Sequence, residues 1–96
     1  MKPSESLKFR RNDVQRIVEQ NHACNPRVFG SVIHGDDTEN SDLDLLVDPT
    51  PQTTLFDLAR IKGRLQEILG VPVDVLTPKA LPVRFRDRVL AEATPV

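Results

Sequence analysis

Gly30-Ser31-Val32-Ile33-His34-Gly35, followed five residues on by Ser41-Asp42-Leu43-Asp44-Leu45-Leu46-Val47, is the segment around which the rest of the chain can be ordered. In a β-strand successive side chains point to opposite faces, and each residue advances the chain about 3.3 Å. Asp42 and Asp44 therefore share a face, with Cα atoms roughly 6.5 Å apart. Their carboxylates can converge on divalent ions, which in paired sites lie about 3.5–4 Å from each other. Leu43, Leu45 and Val47 point the other way, into a core. The Gly-Ser pair ahead of the strand reads as a turn that holds phosphate beside it.

Upstream of this segment, Ser4 to His22 carries Leu7, Val14, Ile17 and Val18 at helical spacing with charges between them, and Ser4 is a plausible N-cap. Asn25-Pro26 is expected to stop that helix, and Arg27-Val28-Phe29 to form a short strand ending at the Gly-Ser pair. Residues 35–41 are polar and predict a loop. The strand from Asp42 to Val47 ends at Asp48-Pro49, and Pro49 and Pro51 stiffen the connection that follows.

Thr54 with Asp57 three residues later resembles a capping box. Leu55, Leu58, Ala59, Ile61, Leu65, Ile68 and Leu69 then supply a wide apolar helix face, and Gly70 is a natural residue just past its end. Val71 to Leu76 predicts a third strand, with Pro72 near its start where a missing donor is tolerated. Thr77-Pro78 looks like a cap and first helical position, and a last helix is expected from Pro82 to about Ala91. The order helix, strand, strand, helix, strand, helix predicts one α/β domain over residues 1–96. It should have a mixed sheet of three or four strands, helices on one face, and the acids on the opposite, open face.

The third strand repeats the pattern of the second. Val73 and Val75 lie on one face and Asp74 on the other, as Asp44 lies between Leu43 and Leu45. If the two strands pair with these acids adjacent, three carboxylates cluster, and like charges that close disfavour folding. A divalent cation removes that penalty. Oxygen ligands with no His or Cys beside them suit Mg²⁺ or Mn²⁺ better than zinc.

Composition excludes several classes. Thirteen basic against fourteen acidic residues give a formal charge of −1, which argues against a protein that holds nucleic acid mainly through phosphates. The lone Cys24 cannot form an internal disulfide, and no apolar stretch approaches the roughly 20 residues of a membrane span. With no signal-peptide pattern either, the expected location is cytoplasmic. There is no Trp and no Tyr to stack bases or anchor a tight interface, and the four Phe are expected in the packing.

Gly30-Ser31, Gly35, Ser41-Asp42-Leu43-Asp44-Leu45 and Asp74 together resemble the pattern of the DNA polymerase-β-like nucleotidyltransferase superfamily. The short length resembles its minimal branch, the MntA-type antitoxins paired with HEPN-domain toxins. The similarity runs through nearly the whole chain, including the start of the second helix and Phe85-Arg86-Asp87-Arg88. The resemblance implies a polymerase-β-like fold in which Gly30, Ser31 and Ser41 bind nucleotide, the first two at its terminal phosphates. It implies that Asp42 and Asp44 ligate Mg²⁺, and that Asp74 completes the second metal position and accepts the hydroxyl proton. ATP as donor and a cognate HEPN-type toxin as acceptor follow from the same resemblance. One position departs from it: relatives often carry Arg where this chain has His34.

Other interpretations of the same residues are weaker. Gly30 to Gly35 has the glycine spacing of a P-loop, but Asp36-Asp37 stand where Lys and Ser/Thr are required. An EF-hand lacks its glycine and terminal glutamate here. Asp36, Asp37, Glu39 and Asp48 read as solubilising loop charges, His22 and Cys24 as packing residues. Arg84, Arg86 and Arg88 read as a solvated helix face, with the minority option that one contacts phosphate or an acidic partner. Three functions follow: AMP transfer to a side-chain hydroxyl of a partner toxin, neutralisation of that partner by occlusion alone, or nucleotidyl transfer to a small molecule or RNA end. The absence of Tyr favours a target in trans. The last option needs a second substrate-binding domain, for which 96 residues leave no room.

Overall fold

A computed structural model describes all 96 residues. The apolar spacing of the N-terminal segment forms α1 (Pro3–Gln20), which departs from helical geometry only at Arg10. Its N-cap is Lys2 rather than Ser4, and the Ser4 amide, one of the free donors of the first turn, is taken by the side chain of Asp37 at 2.9 Å. The first strand, β1, is longer than expected, Ala23–Phe29. It passes through Asn25-Pro26 as an irregularity between Cys24 and Arg27, where Asn25 adopts φ 52° and the pairing shifts register. Asn tolerates that conformation better than most residues, and a proline without a donor fits a bulge.

A single helical turn, α2 (Ser31–His34), follows β1, and the chain then crosses to β2 (Leu43–Pro49). The second long helix, α3 (Leu55–Leu69), starts as its sequence requires. The Thr54 hydroxyl accepts from the Asp57 amide, the Asp57 carboxylate accepts from the Thr54 amide at 2.9 Å, and Gly70 closes the helix at φ 68°. Strand β3 is confined to Val73–Leu76, so Pro72 lies outside it. Thr77-Pro78 opens a short 3₁₀ turn over Pro78–Ala80 rather than a longer helix, α4 spans Val83–Glu92, and a two-residue strand, β4 (Thr94–Pro95), completes the chain.

The sheet has the order β3-β2-β1-β4. β2 is antiparallel to β1 and parallel to β3, and β4 runs antiparallel along the other side of β1, so the sheet is mixed as expected. Leu43, Leu45 and Val47 are fully buried with Val14 and Val18 of α1 and Ile61 and Leu65 of α3. Side chains of this size each stabilise the fold by about 1.5–3 kcal/mol on burial. The Ser6 hydroxyl donates to the Leu69 carbonyl at 2.7 Å and ties the two helices together.

The opposite face is not wholly open. Leu46, which by alternation shares the face of Asp44, is fully buried outside that core, as is Leu81. The 3₁₀ turn packs on β2. The expectation that all four Phe are needed for packing fails. Phe9 and Phe56 are 77% exposed and Phe85 40%, and Leu55, assigned to the apolar face of its helix, is 83% exposed.

Candidate functional site

The site is organised by the register of three strands. Phe29, the last residue of β1, lies opposite Asp44 of β2, and Asp44 lies beside Asp74 of β3. The acids are thus register partners, the arrangement that the sequence could only offer as a condition. The Leu43 amide donates to the Pro72 carbonyl at 2.8 Å and locks the two parallel strands at that end. Asp42 is exposed and sits one residue before β2, at the mouth of the loop rather than inside the strand.

Gly30 turns the chain directly beside Asp44. Its backbone, φ 77° and ψ −144°, belongs to a region open essentially to glycine alone. A Cβ added there would collide with the Asp44 Oδ2 and come within 3.4 Å of its Cγ. The missing side chain therefore has two causes, backbone conformation and the closeness of a carboxylate. Ser31 begins the helical turn, the Ile33 amide donates to the Gly30 carbonyl at 3.1 Å, and Gly35 ends the turn at φ 70°. His34 is exposed, and its Nε2 pairs with the Glu92 Oε2 at 3.3 Å.

The loop that carries the chain from this turn to β2 is fixed from within. The Ser41 hydroxyl accepts from the Thr38 amide at 2.8 Å and the Ser41 amide donates to the Thr38 carbonyl at 3.0 Å. Ser41 thus holds the loop closed beside Asp42. Asp37, expected to be a solubilising charge, is instead buried, and its carboxylate takes the Ser4 amide near the start of α1. That hydrogen bond holds the Asp37 carboxyl below its usual range. Asp48 likewise is no free charge, because Arg27 meets it at 2.6 Å.

Burial, and then the negative charges of Asp74 and Asp42, push the Asp44 carboxyl above its ordinary value. No three His, Cys, Asp or Glu side chains are close enough together to form a ready metal cage. The donor set fits a hard divalent ion that keeps part of its water shell, since it consists of carboxylates alone with room left by Gly30. The clefts of the molecule lie elsewhere, one bordered by Glu19, His22 and Thr50, another by Ser4, Lys8, Val32 and Thr94, and neither contains any of the three acids.

His22 and Cys24 are exposed rather than packed. The His22 ring meets the buried Asp57 at 3.3 Å, and Asp57 is held at about 2 chiefly by the Thr54 amide, with the Arg60 and His22 hydrogen bonds adding to it. Arg86 donates to the carbonyls of Lys79 and Leu81, each at 3.0 Å, and so fastens α4 to the 3₁₀ turn. Arg84 and Arg88 both lie over the Phe85 ring, at 5.2 and 5.6 Å.

This geometry, a glycine turn against one of two register-paired acids, coincides with the family to which the sequence can be matched. Residues 12–96 match the family described as polymerase beta, nucleotidyltransferase, and the chain belongs to it. A Methanocaldococcus jannaschii protein named as a candidate protein adenylyltransferase is 42% identical over 69 residues, 72% of this chain and 74% of its own length. The protein adenylyltransferase MntA of Thermococcus cleftensis is 34% identical over 65 residues, 68% of this chain and 66% of that protein. A solved structure described as a candidate minimal nucleotidyltransferase superposes with a TM-score of 0.86 at 44% identity, covering 97% of this chain and 95% of the other. A toxin–antitoxin structure with AMP-PNP has the same fold, with a TM-score of 0.73 at 19% identity over 88% of this chain and 69% of that one. The α/β fold expected from the sequence is therefore the polymerase-β-like nucleotidyltransferase fold. No helix is long and apolar enough to cross a membrane.

Proposed function

We propose that this chain is an antitoxin that transfers AMP from ATP to a side-chain hydroxyl of a partner toxin of the HEPN type, and so silences it. The observation that carries this proposal is Asp44, flanked by Gly30 on one side and by Asp74 in register on the other. The names of the relatives from M. jannaschii and T. cleftensis, and the AMP-PNP in the toxin–antitoxin structure, support ATP as the donor and a toxin as the acceptor.

Asp42, Asp44 and Asp74 are the residues that would hold Mg²⁺, with Mn²⁺ an acceptable substitute. When bound, the cation neutralises charge on the triphosphate and makes the attacking hydroxyl more acidic. Gly30 lets the backbone approach the terminal phosphates and Ser31 offers them a hydroxyl, while Ser41 keeps the loop behind Asp42 in place. Asp74, the exposed member of the acid pair, takes the proton of the attacking hydroxyl. The acceptor oxygen bonds to the α-phosphorus, the α–β phosphoanhydride bond breaks, and pyrophosphate leaves. Positioning and charge neutralisation supply most of the acceleration.

The acids lie on an open surface rather than in a cleft, so the partner would complete the walls of the site. Phe9, Leu55, Phe56 and Val83 are exposed apolar surface available to a partner. The test is toxin silencing in cells by the wild-type chain and by Asp42→Ala/Asp44→Ala. Silencing lost with the complex retained supports transfer. Silencing retained by the double variant makes the chain an occluding antitoxin instead.

A further inference from the structure

The His34–Glu92 pair has no part in the chemistry above, yet it joins the last residue of α4 to the turn that begins at Gly30. Its position follows from the sheet. β4 pairs with β1 so that Arg27 faces Pro95 and Val28 faces Thr94. The pairing stops at Thr94, and Glu92, the last residue of α4, reaches the turn with its side chain. The tail is held there on both sides, since the Val96 amide donates to the Pro26 carbonyl at 3.0 Å and the Gln15 side chain donates to the Val96 carbonyl at 2.6 Å. Within α2, Ser31 and His34 are three apart and share a face of the single turn. The imidazole of His34 thus shares the face of the Ser31 hydroxyl, and the Glu92 carboxylate lies beside it.

We propose that Glu92 is a positioning residue that sets nucleotide affinity by withholding His34 from the phosphates. This rests on the nucleotide site described above. In the unliganded protein the Glu92 Oε2 lies 3.3 Å from the His34 Nε2 and holds the imidazole away from an incoming phosphate oxygen. Binding a triphosphate requires that pair to open. Because both side chains are about half exposed, His34 53% and Glu92 41%, the pair is weak enough to be broken by the ligand.

The experiment is calorimetric titration of the full chain with AMP-PNP and Mg²⁺, comparing wild type, Glu92→Gln, His34→Ala, the double variant and Asp44→Ala. Glu92→Gln should lower Kd about three- to fivefold, the range of an exposed ion pair. Under turnover it should lower the KM for ATP and leave kcat unchanged. In the His34→Ala background the gain should vanish, while Glu92→Asp should behave as wild type. Glu19→Gln, which removes one carboxylate at the far end of α1, should leave Kd unchanged. Unchanged or weaker binding in Glu92→Gln, or the same gain without His34, overturns the inference. If wild type binds and Asp44→Ala does not, that failure leaves the nucleotide site standing. No binding in any variant, with the partner toxin present as well as absent, overturns the site and the inference together.

Discussion

Replacing Gly30 with Ala probes the contact on which the site depends. The side chain would be forced into a backbone region that costs about 1–3 kcal/mol for any residue but glycine. Its Cβ would also overlap the Asp44 Oδ2, so the carboxylate must leave its position, and an off-rotamer side chain in a packed strand costs a further ~0.5–1.5 kcal/mol. The expected total is about 2–4 kcal/mol, a fall in Tm of about 10–25 °C for a domain of this size. Urea unfolding of a double-mutant cycle separates the two causes. In an Asp44→Ala background the overlapping oxygen is gone and the Cβ of residue 44, at 3.7 Å, is an ordinary contact, so only the backbone cost remains. The two substitutions should therefore couple by about 0.5–1.5 kcal/mol. Equal cost of Gly30→Ala in both backgrounds, to within about 0.3 kcal/mol, would refute the proximity of Gly30 and Asp44.

Three other outcomes follow from the same structure. The Asp44 carboxyl is raised above its unfolded value of 3.8, so the native state binds its proton more tightly and the cost of its charge is relieved as pH falls through the raised value. Asp44→Asn should then be more stable than wild type at neutral pH in metal-free urea titrations, with the difference shrinking on acidification. Asp57 has the opposite sign: held at about 2, it contributes stability that is full above 3.8 and lost as pH falls towards 2, so Asp57→Asn should flatten the acid-unfolding profile measured by circular dichroism. Leu45→Ala, at a fully buried position of the central strand, should cost about 2–5 kcal/mol in chemical denaturation, as core truncations do.

The parts of the fold that were legible in the sequence share a local cause. The Thr54–Asp57 capping box and Gly70 act within a turn of their own helix, and the alternation of Leu43, Leu45 and Val47 around Asp44 fixes the buried face of β2 without reference to any other strand. The pairing of Asp44 with Asp74 was legible only as a condition, because register depends on two strands at once. What the sequence hid is held together over long separations. Asp37 caps the start of α1 across thirty-three residues, which no local pattern announces. β4 contains two residues, too few for alternation to show, and yet it pairs with β1 just ahead of the turn at Gly30. The Phe residues misled for a different reason, since hydrophobic side chains mark either a core or a contact surface and composition does not distinguish them.

The central claim is tested most directly by incubating the chain with its partner toxin, Mg²⁺ and ATP labelled at either the α- or the γ-phosphate, then following label and intact mass on the toxin. The account predicts α-label only, a mass gain of one or more AMP units, and neither in Asp42→Ala/Asp44→Ala. Transfer of γ-label, or α-label transfer that survives the double substitution, would contradict it.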